Sequence, residues 1–294
     1  MMPQAGQIIQ GRGGLYTVRD EQGQEYVLRA KNKFRRAGLT PLVGDRVMFS
    51  PGHLEEHGWL EDILPRTSQS VRPPVANITQ MMITLAPEPM PDLLLADKLL
   101  VFARMQGIKP LLVVNKADLD PGLHQDLIKA YQQAQVDVIA ASSVTADGLE
   151  ALRKAMAGHL NCFAGQSGVG KSTLITALTG VALETGEVSL KIRRGKQTTR
   201  HVSLLEQDGF QVLDTPGFSL LDLPEDMEPE HLRDYYPEFV SLQAGCRFEV
   251  CLHDKEPGCA IQEGAFNGRL DPNRLARYRV LLGLQKEKWS KRYA

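Results

Sequence analysis

Gly165-Gln166-Ser167-Gly168-Val169-Gly170-Lys171-Ser172 reads G-x-x-x-x-G-K-S, the pattern of a phosphate-binding loop. The glycines let successive backbone N–H groups turn inward and cradle phosphate oxygens. In that reading Lys171 reaches the β- and γ-phosphates and the Ser172 hydroxyl ligates Mg²⁺, with Thr173 beside it on the phosphate side. The flanks agree with the pattern. Leu160–Ala164 reads as a short strand. Ser172–Leu178 opens a helix whose N-terminus favours an anion. The competing reading is a glycine-rich turn without a ligand.

Two further stretches narrow the nucleotide. The apolar run Leu111–Val114 leads into Asn115-Lys116-Ala117-Asp118, the N-K-x-D pattern that reads guanine. A carboxylate only accepts, so Asp118 can take the two donors on guanine N1 and N2, which adenine does not present. The Lys116 stem can cover the base, and Asn115 can tie its loop to the phosphate loop. Phe210–Leu213 is a second strand that ends in Asp214-Thr215-Pro216-Gly217. There Asp214 would hold Mg²⁺ through water and the Gly217 N–H would sense the γ-phosphate. After the strand Val136–Ala141, backbone N–H groups of Ser142-Ser143 are weaker candidates for contact with guanine O6.

The order is unusual. N-K-A-D at 115–118 precedes the phosphate loop at 165–172, the reverse of the common GTPase order. The chain reads as circularly permuted, with each motif still at a strand's carboxyl end, where α/β sheets bind ligands. Ile192–Arg200, between the phosphate loop and the next strand, takes the place of switch I. Thr199, ahead of Thr198, is the threonine expected to reach Mg²⁺ and the γ-phosphate. Phe218 stands where a water-orienting glutamine is common. Intrinsic hydrolysis should therefore be slow, and Gln197 is a candidate water-positioner.

Composition sets the rest. The 294 residues are 43% hydrophobic and 23% charged, with a net charge of −1. That is enough for two or three cored domains, without a global basic field, so any RNA binding must be local. No apolar run reaches the ~18 residues of a membrane span. The N-terminus is no signal peptide, and the cytoplasm is the expected compartment. Residues 1–65 carry five candidate strands (Gly6–Gln10, Leu15–Val18, Glu25–Ala30, Asp45–Phe49 and Trp59–Ile63), which predict an oligonucleotide-binding β-barrel. Its basic run Arg29–Arg36, with one aromatic, Phe34, reads as a solvated loop or as an RNA contact. Residues 66–75, polar and proline-rich, read as a linker. Residues 76–222 read as the GTPase domain.

Residues 223–294 hold Cys246, Cys251, His253 and Cys259, a complete Cys₃His set for one structural Zn²⁺. Cys162, in the strand before the phosphate loop, reads as core. The tail Asp271–Tyr293 reads as a basic amphipathic helix that caps the zinc region, touches RNA or presents a solvated face.

This combination resembles the small-ribosomal-subunit-dependent, circularly permuted GTPase A family (RsgA, also called YjeQ or YloQ), over nearly the whole chain. The motifs that carry it are N-K-A-D, G-Q-S-G-V-G-K-S, G-K-Q-T-T, D-T-P-G and C-x₄-C-x-H-x₅-C. The resemblance implies an N-terminal OB-fold barrel, a permuted α/β P-loop GTPase and a C-terminal α-helical zinc-binding domain. It implies low intrinsic GTP hydrolysis, stimulation by the small subunit and a part in that subunit's late maturation. It assigns Gly165–Ser172 to phosphate, Asn115, Lys116 and Asp118 to guanine, and Thr198 or Thr199 to switch I. Asp214–Gly217 become switch II and the Cys₃His set binds zinc. One departure is Gln197, where the family commonly has a histidine proposed to take part in hydrolysis. Glutamine can orient a water but is no general base near neutral pH. The expected partners are GTP or GDP with Mg²⁺, and the small subunit with its rRNA. A monomer without membrane association is expected. The rival reading is a zinc- and barrel-based RNA-binding protein whose nucleotide site is only regulatory. Asn115–Asp118 argues against an ATP-dependent kinase or transporter subunit.

Overall fold

The computed structural model describes residues 3–52, 56–71, 73–183, 202–214 and 222–292. The expectations for Gln197, Thr198, Thr199, Thr215–Gly217 and Phe218 lie outside these residues.

The chain begins with β1 (Gln4–Arg12), β2 (Leu15–Asp20), β3 (Glu25–Ala30), the short α1 (Asn32–Arg36), β4 (Arg46–Ser50) and β5 (Gly58–Ile63). These strands run β1-β2-β3-β5-β4, and β4 returns to pair with β1. That closure makes the five-stranded barrel expected from the turn signals. Ile8, Val18, Leu28, Val47, Phe49 and Leu60, all fully buried, fill it. The basic run at its rim differs from both readings of a loop. Residues 32–36 form α1, and Phe34 is buried in the core, where it cannot stack on a base. Lys31 pairs with Glu61, and Lys33 pairs with Asp62 at 2.6 Å.

Residues 66–75 are not a loose tether. β6 (Gln69–Val71) and β7 (Pro74–Ala76) pair as a small hairpin. Arg66 grips the buried Asp45 carboxylate of the barrel at 2.7 and 2.8 Å. The hairpin also receives the barrel through Val43, whose carbonyl accepts from Ala76 N at 3.0 Å.

The central layer comprises β8 (Gln80–Leu85), α2 (Leu93–Met105), β9 (Lys109–Val114), α3 (Pro121–Tyr131), β10 (Asp137–Ala140), α4 (Leu149–Met156), β11 (Leu160–Ala164), α5 (Lys171–Thr179), β12 (Ser203–Gln207) and β13 (Phe210–Asp214). The strands run β10-β9-β8-β11-β13-β12, parallel except for β12. Near-continuous apolar strands such as β8 and β11, buried along their whole length, suit a sheet covered on both faces. β12 is the strand that the sequence reading lacked. It pairs antiparallel with β1 at Gln10↔Ser203, and this joins barrel and central layer into one eleven-stranded sheet. The Arg19–Glu206 ion pair at 2.9 Å and the Gln211–Gln7 hydrogen bond at 3.1 Å support the join. One continuous apolar cluster runs from Ile8 of the barrel to Leu213 of β13.

The C-terminal part adds a 3-10 turn at Pro229–Tyr235, α6 (Pro237–Gln243), α7 (Ala260–Phe266) and α8 (Pro272–Lys291). Asp271 caps α8 by accepting from Arg274 N at 2.7 Å, with Pro272 at the first turn. This part has its own core around Tyr236, Phe239 and Tyr278, and it packs on Val101 of α2. The arginines of α8 are not a solvated face. Arg274 and Arg277 reach the fully buried Asp97 of α2, each at 2.6 Å, and Tyr131 donates to the same carboxylate at 2.7 Å. Arg274 also pairs with Glu238. Burial works against the Arg274 charge, but Asp97 and Glu238 more than offset it and hold its pKa above the usual guanidinium value. Arg104, buried beside Arg274, is lowered to about 10. Among the described residues no helix is long and apolar enough to cross a membrane.

Candidate nucleotide site and metal centre

Parallel strands put their carboxyl ends on one edge, and the motifs gather there. Asn115–Asp118 follow β9, Gly165–Gly170 follow β11 and Asp214 ends β13, with β8 between β9 and β11. The phosphate-loop backbone depends on its glycines. Gly165 has φ +134°, and a Cβ there would stand 2.2 Å from Thr84 O. Gly170 has φ +86°, and its Cβ would meet Asn115 Nδ2 at 2.5 Å. Only glycine satisfies both demands.

Asn115 is fully buried, and its Nδ2 donates to Val169 O at 2.9 Å. Lys116, held at φ +56°, lays its stem along the same loop, and its Nζ donates to Gly168 O at 2.9 Å and Glu88 O at 2.7 Å. These bonds join two motifs that the chain order separates. Asp118 is exposed and has no partner among the described residues, so its oxygens are available as acceptors. Lys171 folds across the loop, and its Nζ donates to Gly165 O at 2.8 Å and Gln166 O at 2.7 Å. Burial lowers its pKa to about 8, and a bound phosphate would raise it again.

Val169 is buried, whereas Ser167, Gly168 and Thr173 face outward around the loop. Ser142 and Ser143 differ. The Ser142 N–H is committed to Asp147 O at 2.9 Å, and its hydroxyl accepts from Val144 N and Thr145 N, so Ser142 caps its own turn. That leaves the Ser143 N–H as the group there able to meet a base.

The sequence reading missed the connection from β8 to α2. Asp92 N donates to Gln166 Oε1 at 3.0 Å. With Glu88 O it fastens this connection to the phosphate loop. Its signal was the proline-rich Ala86-Pro87-Glu88-Pro89-Met90-Pro91 directly after a strand, a stiff run aimed at the site.

Ser172 lies in the first turn of α5, and Asp214 closes β13; neither side chain has a partner among the described residues. Burial raises the Asp214 pKa, which a cation would reverse. Hydroxyl and carboxylate oxygens are the donors that Mg²⁺ takes.

The second centre lies under α8. The Sγ atoms of Cys246, Cys251 and Cys259 and a ring nitrogen of His253 all fall within 4.8 Å of one another. His253 Nδ1 is 3.7 Å from Cys246 Sγ and 3.4 Å from Cys259 Sγ. A tetrahedral zinc with ordinary Zn–S and Zn–N bonds separates sulfur from nitrogen by about 3.6 Å, so the donor set fits. Burial, with Arg233 nearby, lowers His253 to about 4 and keeps the imidazole neutral, as a ligand must be. The supporting bonds are on the backbone. Arg233 donates to Cys251 O at 2.9 Å, Tyr278 to Leu252 O at 2.9 Å and Arg279 to His253 O at 3.1 Å. The Glu256 carboxylate accepts from Leu252, Asp254 and Lys255 N–H groups. Cys162, apart from this centre, is fully buried in β11.

Phosphate loop and guanine-type motif, joined by Asn115 on a parallel sheet yet reversed along the chain, define a circularly permuted P-loop GTPase. Residues 63–224 match the RsgA GTPase family, and residues 5–59 match the RsgA N-terminal domain. The chain belongs to the RsgA family. It is 44% identical to the small ribosomal subunit biogenesis GTPase RsgA of Ruminiclostridium cellulolyticum, over 94% of this chain and 92% of that one. It is 41% identical to the protein of the same name from Caldanaerobacter subterraneus subsp. tengcongensis, over 98% of each. Among solved structures it is similar to YjeQ from Thermotoga maritima (TM-score 0.83, 30% identity, 97% of this chain and 99% of that). It is also similar to YloQ, described as a circularly permuted GTPase (TM-score 0.79, 30% identity, 97% and 96%).

Proposed function

We propose that this protein hydrolyses GTP to GDP and phosphate, and that it acts as a GTP-controlled switch on the small ribosomal subunit during its biogenesis. The observation that carries the reading is the Asn115 Nδ2–Val169 O bond of 2.9 Å. It binds a guanine-type motif to a phosphate loop, so one ligand with both a guanine and phosphates would satisfy both. The names of the full-length relatives supply the subunit.

In this reading Asp118 accepts from guanine N1 and N2, with the Lys116 stem against the base. The phosphate-loop N–H groups and Lys171 hold the β- and γ-phosphates, which Lys171 reaches by leaving its two backbone carbonyls. Ser172, Asp214 and Thr199 would hold Mg²⁺, which when bound neutralises charge on the β- and γ-phosphates. Gly217 senses the γ-phosphate and Gln197 orients the attacking water. The Phe218 side chain cannot orient that water, so contact with the subunit completes the site. The Cys₃His centre holds one structural zinc and keeps α8 in place. The protein works as a cytoplasmic monomer.

The test is GTP turnover with purified small subunits, large subunits and neither. Stimulation confined to small subunits is expected. Equal rates in all three would overturn the switch reading.

A further inference from the structure

The β8–α2 connection touches the candidate nucleotide site at three points. Glu88 O accepts from Lys116 Nζ at 2.7 Å. Pro89 lies against the phosphate loop, where a Cβ on Gly168 would meet its Cδ at 3.4 Å. Asp92 N donates to the Gln166 side chain at 3.0 Å. Asp92 is also the residue that starts α2, because its carboxylate accepts from Leu95 N at 2.8 Å. The phosphate loop and the first turn of α2 are therefore tied directly, Gln166 to Asp92.

Gln166 also meets the part of the loop that responds to a ligand. Its carbonyl accepts from Lys171 Nζ at 2.7 Å, the bond that Lys171 gives up when it turns to a phosphate. Gln166 thus has one bond that a nucleotide breaks and one that leads out of the site, the differential contact that coupling requires. Once Lys171 has left, the bond to Asp92 is the side-chain anchor that keeps Gln166 in place. A firmly held α2 then favours the nucleotide-bound loop.

The route continues along a rigid helix. Asp97 lies about 7.5 Å beyond Asp92 along α2 and holds Arg274 and Arg277 of α8 at 2.6 Å each. Arg104, at the far end of α2, donates to Tyr235 O at 2.8 Å. One turn beyond Arg274, Tyr278 and Arg279 bond Leu252 O and His253 O of the Cys₃His loop. No residue of this route belongs to Ile192–Arg200 or Asp214–Gly217, so it is separate from the expected switches.

We propose, resting on the GTP reading of the site, that Gln166 is a positioning residue: its side chain fixes the phosphate loop to α2, and through Asp97 the hold on α8 sets the affinity for guanine nucleotide. By linkage, nucleotide tightens that hold by the same factor. A brace that only adds stability would leave the two ends independent. One neutral hydrogen bond is worth about a twofold to tenfold change in an equilibrium, which bounds what can pass through Gln166.

The experiment is a double-mutant cycle on the full chain, Gln166→Ala with Asp97→Asn, read as affinity for a fluorescent GDP analogue. Asp97→Asn changes no group of the nucleotide site, yet it should weaken binding about threefold. In the Gln166→Ala background it should lose most of that effect. Arg277→Gln, which leaves Arg274 on Asp97, takes the place of Asp97→Asn if that chain does not fold. Hydrogen exchange gives the reciprocal reading: saturating GDP should slow exchange of α8 in the unmodified chain and do so far less in Gln166→Ala. Equal effects on affinity in both backgrounds, no effect in either, or equal slowing of α8 would overturn the coupling. An unmodified chain that binds no guanine nucleotide would instead overturn the reading of the site, and the role of Gln166 with it.

Discussion

Asp97→Asn tests whether α8 is locked to the GTPase layer by buried charge. The substitution keeps the side-chain volume and removes one negative charge at a site with no solvent exposure. In the native protein that carboxylate takes Arg274 and Arg277 at 2.6 Å each and Tyr131 OH at 2.7 Å. An asparagine would turn an amide donor toward one of two guanidiniums, and Arg277 would lose the one carboxylate bonded to it among the described residues. Removing one partner of a buried pair costs about 3–5 kcal/mol, because the other charge stays buried without compensation. Exposed pairs are worth about 1 kcal/mol or less. Urea unfolding followed by circular dichroism reads the loss. Hydrogen exchange of α8 shows where it falls, with faster exchange there and little change in the barrel. In a double-mutant cycle, Arg277→Met should cost far less once Asp97 is already Asn. A loss below about 1 kcal/mol, or strictly additive substitutions, would refute the argument that Asp97 organises this contact.

Asp118→Asn should weaken GTP binding at least about tenfold, since an amide offers a donor where guanine needs acceptors; unchanged affinity in a nucleotide titration would remove Asp118 from the site. Metal analysis should find one zinc per chain, and a strong chelator should loosen α7 and α8 in hydrogen exchange before the barrel. Exchange that ignores the chelator would leave the Cys₃His set without a structural metal. For Glu61, the hydrogen bond from Lys31 is the largest cause of a pKa below the usual carboxylate value. A lowered carboxylate stabilises the fold above its unfolded pKa and loses that contribution as pH falls through its folded one. The melting-temperature gap between the parent chain and Glu61→Gln should therefore be full near neutral pH and close under acid conditions; a gap independent of pH would contradict the pairing.

Most of the architecture could be read from local patterns along the chain. Strand alternation, turn glycines and the motifs themselves depend on near neighbours, and those barrel and sheet strands lie where the sequence places them. What was not legible depends on distant partners. β12 is short and half-exposed, and its value comes from β1 on one side and β13 on the other. Its local signal was Asp208-Gly209, both at positive φ, a two-residue turn between Gln207 and Phe210. Arg274 and Arg277 look like any basic helix face, because the carboxylate that buries them is on α2. Phe34 looks like an exposed aromatic in a basic loop until the barrel closes around it. At the candidate site the motifs were legible as letters, but the bond that Glu88 O accepts and the bond that Asp92 N donates were not, since backbone groups carry no residue signature.

The Gln10↔Ser203 pairing has a consequence for synthesis. A ribosome making this chain releases the whole barrel long before the strand that pairs with the C-terminal end of β1, beyond the stretch Gln4–Gln7 that β4 covers. Until residue 203 emerges, that end can be bonded only by water or by another chain. The nascent barrel thus carries a short open stretch of β-edge until β12 is made, and the guanine-type motif is exposed before any phosphate loop exists for it to join. The last parallel strand, β13, must arrive before the nucleotide site can close. Nucleotide should therefore stabilise only chains whose synthesis has passed β13, and shorter chains should depend on chaperones to keep the β1 edge single.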